Sequence, residues 1–136
     1  MKTAKKILTV ILLVAIVMSI AACKNRVDRE GLWENATYVK DTTVGDGEKT
    51  VKCDVVVGEN SITITVKTDA TTFGEALYEN ELINDPSFFD TCNGIKADWN
   101  KDQAYWAFYN GESYMDVGVD KATISGGEHY RLVYTQ

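Results

Sequence analysis

The sequence predicts an α+β fold, a β-grasp-like mixed sheet with one short helix packed on it, and three observations lead there. Val51, Cys53, Val55 and Val57 alternate with Lys52, Asp54 and Val56; after Gly58-Glu59-Asn60-Ser61 the alternation resumes at Ile62, Ile64 and Val66. Two period-2 runs rich in β-branched residues around a turn make a β-hairpin. Thr72-Phe73-Gly74-Glu75 has the form of a capping box, with Phe73, Ala76 and Leu77 on one helical stripe behind it. A helix this short needs the sheet to be stable, and one helix on one face of a sheet is the α+β arrangement.

The elements follow in order. Lys2, Lys5 and Lys6 precede an apolar run of 16 residues from Ile7 to Ala22. That is shorter than the roughly 20 residues a membrane-spanning helix needs, and it matches a secretory leader. Ile20-Ala21-Ala22-Cys23 resembles a bacterial lipobox, so residues 1–22 are expected to be removed and Cys23 to be acylated. Residues 23–31 then form a charged tether, and residues 32–136 one domain. Leu32 to Thr43 reads as an irregular or weakly extended entry, and Val44 to Glu48 as a turn. The helix is expected to run to about Leu82-Ile83, because Asn84-Asp85-Pro86 breaks it. Strands are expected at Phe88–Cys92, before the Asn93-Gly94 turn, and at Ala104–Tyr109, before Asn110-Gly111. Tyr130, Leu132 and Tyr134 alternate in a closing strand.

Charge excludes some functions. Without residues 1–22, which hold three lysines and no acids, 11 basic and 20 acidic side chains remain, a formal charge of −9. Such a surface repels phosphate backbones and anionic headgroups. Nucleic-acid binding is therefore not expected, and membrane contact is assigned to the lipid alone. His129 is the single histidine and falls on the polar side of the last strand. With no second histidine there is no zinc cluster of the usual kind and no Ser-His or Cys-His pair, so the domain is read as non-enzymatic.

Three groups of residues are left as candidates. Cys53 and Cys92 are exported with no other partner, so they either pair as a disulfide or fill the core as small apolar residues. Asp98, Asn100 and Asp102 are spaced like the front of a calcium loop, but Gln103 stands where its glycine belongs and Tyr109 where its glutamate belongs. A polar turn explains the same residues. Trp99, Tyr105, Trp106, Tyr109 and Tyr114 form an aromatic set. By alternation Trp106 and Phe108 face the helix, while Tyr105 and Tyr109 share the other face. Exposed rings beside a turn make a patch for a flat ligand or a partner protein.

Asp69–Leu77, Asn93–Asp98, Asp102–Glu112, Gly118–Asp120 and Trp33–Tyr38, in their order along the chain, resemble a bacterial lipoprotein domain similar to the C-terminal β-domain of transcobalamin and intrinsic factor. The resemblance covers about Leu32 to Gln136. It implies a β-grasp-like fold, and it places Tyr105-Trp106 near a bound corrinoid. Phe88-Phe89-Asp90-Thr91-Cys92 departs from that pattern, and the sequence has no counterpart of the helical barrel that closes over the corrinoid in transcobalamins. Capture of a tetrapyrrole- or cobalamin-type molecule for uptake, together with a transporter or other surface protein, is the leading expectation. A cell-surface interaction or adhesion module using open sheet edges and a calcium-binding module are the alternatives.

Overall fold

The computed structural model describes residues 25–136; the leader and Cys23 lie outside the described residues. Alternation produces the centre of the sheet as expected. Lys49–Val57 (β2) and Asn60–Thr68 (β3) pair antiparallel from Lys49↔Thr68 to Val57↔Asn60. Before them, Thr42–Gly45 (β1) runs parallel to β3, with Thr42 opposite Ile64. This is the first departure from the sequence reading. The supposed turn at 44–48 begins with two strand residues, and a 3-10 turn at Gly31–Asn35 spans the end of the expected tether and the start of the irregular entry. A four-residue edge strand leaves too short an alternation to be seen.

Phe73–Glu79 forms the main helix (α1). Thr72 Oγ1 accepts from the Glu75 N–H at 3.3 Å, and Glu75 reaches back to the Thr71 N–H at 3.3 Å, so the capping box closes one residue early. The helix also ends before Leu82. Glu81 turns left-handed at φ 59°, its N–H donates to Tyr78 C=O at 3.0 Å, and Leu82 N–H donates to Leu77 C=O at 2.9 Å. Those two bonds are a Schellman close, with a glutamate where glycine is usual. Leu82 and Ile83 are thereby freed to enter the core.

Thr91–Cys92 (β4) and Ile95–Lys96 (β5) pair with each other outside the main sheet. The strand expected over Phe88–Cys92 is thus only two residues long. Asn84 and Asp85 hold the preceding segment as a loop, and Phe88 is left 94% exposed. Trp99–Asp102 (α2) is a single helical turn. Tyr105–Asn110 (β6) and Ser113–Tyr114 (β7) make the hairpin signalled by Asn110-Gly111, with Gly111 at φ 61° in the two-residue loop. His129–Thr135 (β8) does not close an edge. It inserts between β2, to which it is parallel, and β6, to which it is antiparallel. The sheet order is β1-β3-β2-β8-β6-β7.

The core lies on one face of this sheet. Val51, Cys53 and Val55, Ile62, Ile64 and Val66, Leu132 and Phe108 meet Phe73, Ala76 and Leu77 of α1. Phe73 is the hub, 5.5 Å from the Phe108 ring and 4.6 Å from Tyr130. Cys53 and Cys92 are both buried in this core and both are free thiols, not the disulfide the sequence allowed. They serve as small apolar fillers, and burial pushes both thiols well up from their ordinary range. Asn93, fully buried, clamps the entry segment: its Oδ1 accepts from Tyr38 N–H and its Nδ2 donates to Tyr38 C=O, each at 2.9 Å. Among the described residues no helix is long and apolar enough to cross a membrane.

Candidate functional site

The aromatic set of the sequence is divided by the fold into three groups. Asp98 starts α2, its carboxylate accepting from Lys101 N–H at 3.0 Å, and Gln103 ends it in the left-handed region at φ 53°. This turn stands Trp99 on the surface, 61% exposed, in edge contact with Tyr105, 42% exposed, at 6.3 Å between ring centroids. Edge-to-face packing at this separation is favourable for the quadrupoles of two rings.

Trp106, one residue along the strand, faces the other way. It is 8% exposed, and its indole N–H is shared between Asp90 C=O and Ile95 C=O, both at 3.2 Å. Its place among the candidate ligand-binding residues is therefore corrected. The buried donor ties the β4–β5 hairpin to β6, and this tie builds a groove. Its walls are Phe89, Asp90, Lys96 and Ala97 on the hairpin side, and Asp98, Trp99, Asn100, Ala104 and Tyr105 on the other, around about 330 Å³.

Tyr109 and Tyr114 are separated from this groove. They pack edge-on at 5.4 Å, and the Arg131 guanidinium lies 5.8 Å from the centre of the Tyr109 ring while donating to Gly111 C=O at 3.2 Å. Four residues of strand, about 13 Å, divide this pair from Tyr105.

Of the metal candidates, Asp98 and Asn100 line the groove and Asp102 does not. Asp98 acts as the N-cap of α2, and among the described residues no three His, Cys, Asp or Glu side chains are grouped to hold a metal ion. Phe89, Asp90 and Lys96 were not singled out by the sequence. The Asn93-Gly94 turn signalled their hairpin, but only the Trp106 tie brings it to β6. Asn84 fixes Asp90 there, donating to its carboxylate at 2.8 Å and accepting from its N–H at 3.2 Å.

A larger groove, about 550 Å³, lies at the end of α1 between Tyr78, Glu79, Glu81, Ile83, Asn84 and Thr91. Size favours it, but chemistry favours the smaller one. Tyr78 is its only aromatic side chain, and the Glu79 carboxylate is occupied by the Thr68 hydroxyl. His129 stands on the open face of the sheet, its Nε2 2.7 Å from Asp54 Oδ1, six residues along β8 from Thr135, the residue opposite Tyr105.

Fold and groove together define a small α+β domain with a surface suited to binding. No family model matches the chain, and no curated protein matches its sequence. A solved structure from Ruminococcus gnavus, described as a "putative metal binding protein", is 25% identical over 65% of this chain and 98% of its own length, with a TM-score of 0.60. Haptocorrin in complex with Cbi matches at 17% identity over 68% of this chain and 26% of haptocorrin, with a TM-score of 0.48.

Proposed function

We propose that this chain is a lipid-anchored, non-enzymatic binding module of the outer face of the cell membrane, and that the Trp99–Tyr105 groove receives the edge of a flat, conjugated ligand of the tetrapyrrole or corrinoid kind. One observation carries the reading: two exposed rings in edge contact flank a groove whose far wall adds Phe89 and Lys96. Aromatic walls supply large contact area at low cost in side-chain entropy, and Lys96 offers a charge to a ligand carboxylate or phosphate. The groove is shallow, so it contributes one wall and not an enclosure. A ligand-sized pocket usually buries most of its occupant; affinity here is accordingly modest, and a transporter or surface protein supplying the second wall would tighten it.

The R. gnavus neighbour's description favours a second reading, in which a cation such as calcium is held near Asp90, Asp98 and Asn100. One experiment addresses both. Tryptophan fluorescence of the full chain is titrated with a corrinoid, with haem and with calcium in turn. A saturable change with corrinoid or haem, lost in a Trp99→Ala, Tyr105→Ala double variant, supports the groove. A change with calcium alone transfers the assignment to the second reading, and a flat response to all three removes both.

A further inference from the structure

Among the described residues Phe88 is the most exposed large apolar side chain, at 94%. Single apolar residues on a surface are ordinary; what sets this one apart is the loop beneath it, which is built to hold it out. Asp85 Oδ1 accepts from the Ser87 N–H at 2.8 Å and from the Phe88 N–H at 2.9 Å. Asn84 Nδ2 donates to the Asp90 carboxylate at 2.8 Å, and its Oδ1 accepts from the Asp90 and Thr91 N–H groups at 3.2 and 3.1 Å. Pro86 has its φ fixed by the ring, and its carbonyl lies so near α1 that a Cβ on Gly74 would stand 2.6 Å from it. Phe89, the next residue, packs against the core. A side chain ordered in advance loses little freedom when another surface closes over it.

The surface that fits Phe88 stands beside it. Phe89 and Asp90 form one wall of the Trp99–Tyr105 groove, so the protruding ring and the groove share one stretch of chain. The groove, about 330 Å³, has room for a phenyl ring, and the exposed Trp99 and Tyr105 rings offer it edge-to-face contacts. The charges match as well. Lys96 in the groove wall is exposed, and the single ion pair among the described residues is His129–Asp54, so Lys96 has no carboxylate of its own. Asp85 at the foot of Phe88 is exposed too, and both bonds it accepts go to Oδ1. A ring with an acid at its foot, next to a groove with a cation in its wall, is complementary to a copy of itself. We propose that two copies of this chain associate about a two-fold axis, each placing Phe88 in the other's Trp99–Tyr105 groove and Asp85 against the other's Lys96. Such an interface is isologous, so every contact is made twice. It is also small, which makes the dimer transient. It uses the groove of the ligand reading but not its ligand, so either can fail without the other; where both hold, ligand and Phe88 compete for one space.

The test mixes isotopically light and heavy forms of the full chain, purified in detergent with micelles in excess over protein. A carbodiimide, which joins a carboxylate to an amine in contact with it, is expected to link Asp85 of one chain to Lys96 of the other, seen as a mixed-isotope peptide. Phe88→Ala removes both ring contacts and is expected to weaken association roughly 1,000-fold, about 30-fold for each central aromatic anchor, so the link disappears. A Trp99→Ala, Tyr105→Ala double variant loses it in the same way. Mixing these two variants restores one contact: the link returns in one direction only, Lys96 of the Phe88→Ala chain joined to Asp85 of the double variant. Unchanged circular dichroism shows that each variant folds. Absence of any interchain Asp85–Lys96 link in the parent, or a link that survives Phe88→Ala, overturns the dimer. A flat fluorescence response to corrinoid and haem with the link intact removes the ligand reading and leaves the dimer standing; a saturable response with no link does the reverse.

Discussion

The two ends of β6 each carry an aromatic pair at the surface, exposed Trp99 and Tyr105 at one and half-buried Tyr109 with exposed Tyr114 at the other, and only the first lines a groove. At one end Trp99 meets Tyr105 beside a groove; at the other Tyr109 meets Tyr114 under the Arg131 guanidinium. The second pair already has its cation and its neighbouring strand. The first has no cation over its rings and lies beyond the reach of β7, and its rings line space. Exposure of rings is thus a weaker indication of function than the absence of a local partner for them.

The sharpest way to break that comparison is to remove rings one at a time. Trp106→Ala deletes a buried ring and is expected to lower stability by about 3–5 kcal/mol in urea unfolding. Trp106→Phe, which keeps most of the volume but removes the indole N–H shared by the Asp90 and Ile95 carbonyls, the former still bonded to the Ala97 N–H, costs about 1 kcal/mol. Trp99→Ala is expected to stay within about 0.5 kcal/mol of the parent while abolishing the fluorescence response to ligand. A large loss of stability from Trp99→Ala would make it a structural ring like its neighbour.

Next in size is the far pair. Tyr109→Ala removes a cation–π contact and an edge-to-face contact, together about 1–2 kcal/mol, and leaves the groove's ligand response unchanged. If Tyr109→Ala weakens ligand binding as much as Tyr105→Ala does, the two ends act as one surface.

The thiols allow a third measurement. Buried and pushed up by desolvation, Cys53 and Cys92 are expected to resist alkylation in the native protein, and both to react once the chain is unfolded without reductant. If neither reacts after unfolding, the purified protein carries a disulfide across a loop of about 40 residues, worth roughly 3–4 kcal/mol.

The smallest effect is local. Asp85 accepts from the Phe88 N–H and the Ser87 N–H, and these bonds hold its carboxyl below the ordinary aspartate range. A depressed folded-state value contributes above the unfolded value and is lost as pH falls through the folded one. Acidification through that window is expected to quicken amide exchange at Ser87 and Phe88 before any global change, loosening the loop that leads to Phe89 on the groove wall. Simultaneous loss of the whole sheet would show that Asp85 does not act locally.

Much of the architecture was readable because it is periodic. The alternation in β2 and β3, the Thr72 cap and the inward direction of Trp106 all follow from local spacing. What escaped is non-local. Parallel pairing of β1 with β3 depends on residues some twenty positions apart and only four long. The helix end depends on Glu81 accepting a left-handed conformation that its side chain does not advertise. Half of the groove was legible, since Trp99 and Tyr105 stand near a turn in sequence; the Phe89 and Lys96 wall was not, because a buried indole brings it there.

The position of β8 has a consequence for how the chain reaches this state. Residues 129–135 supply the strand between β2 and β6. Until they arrive, the β1-β3-β2 portion and the β6-β7 hairpin share no ladder, and the central contacts span most of the domain. Pairing of such distant segments slows folding, because loop closure is unfavourable before any contact offsets it. A nascent chain therefore remains loose while β8 is unmade, which suits a protein proposed to cross a membrane before it folds.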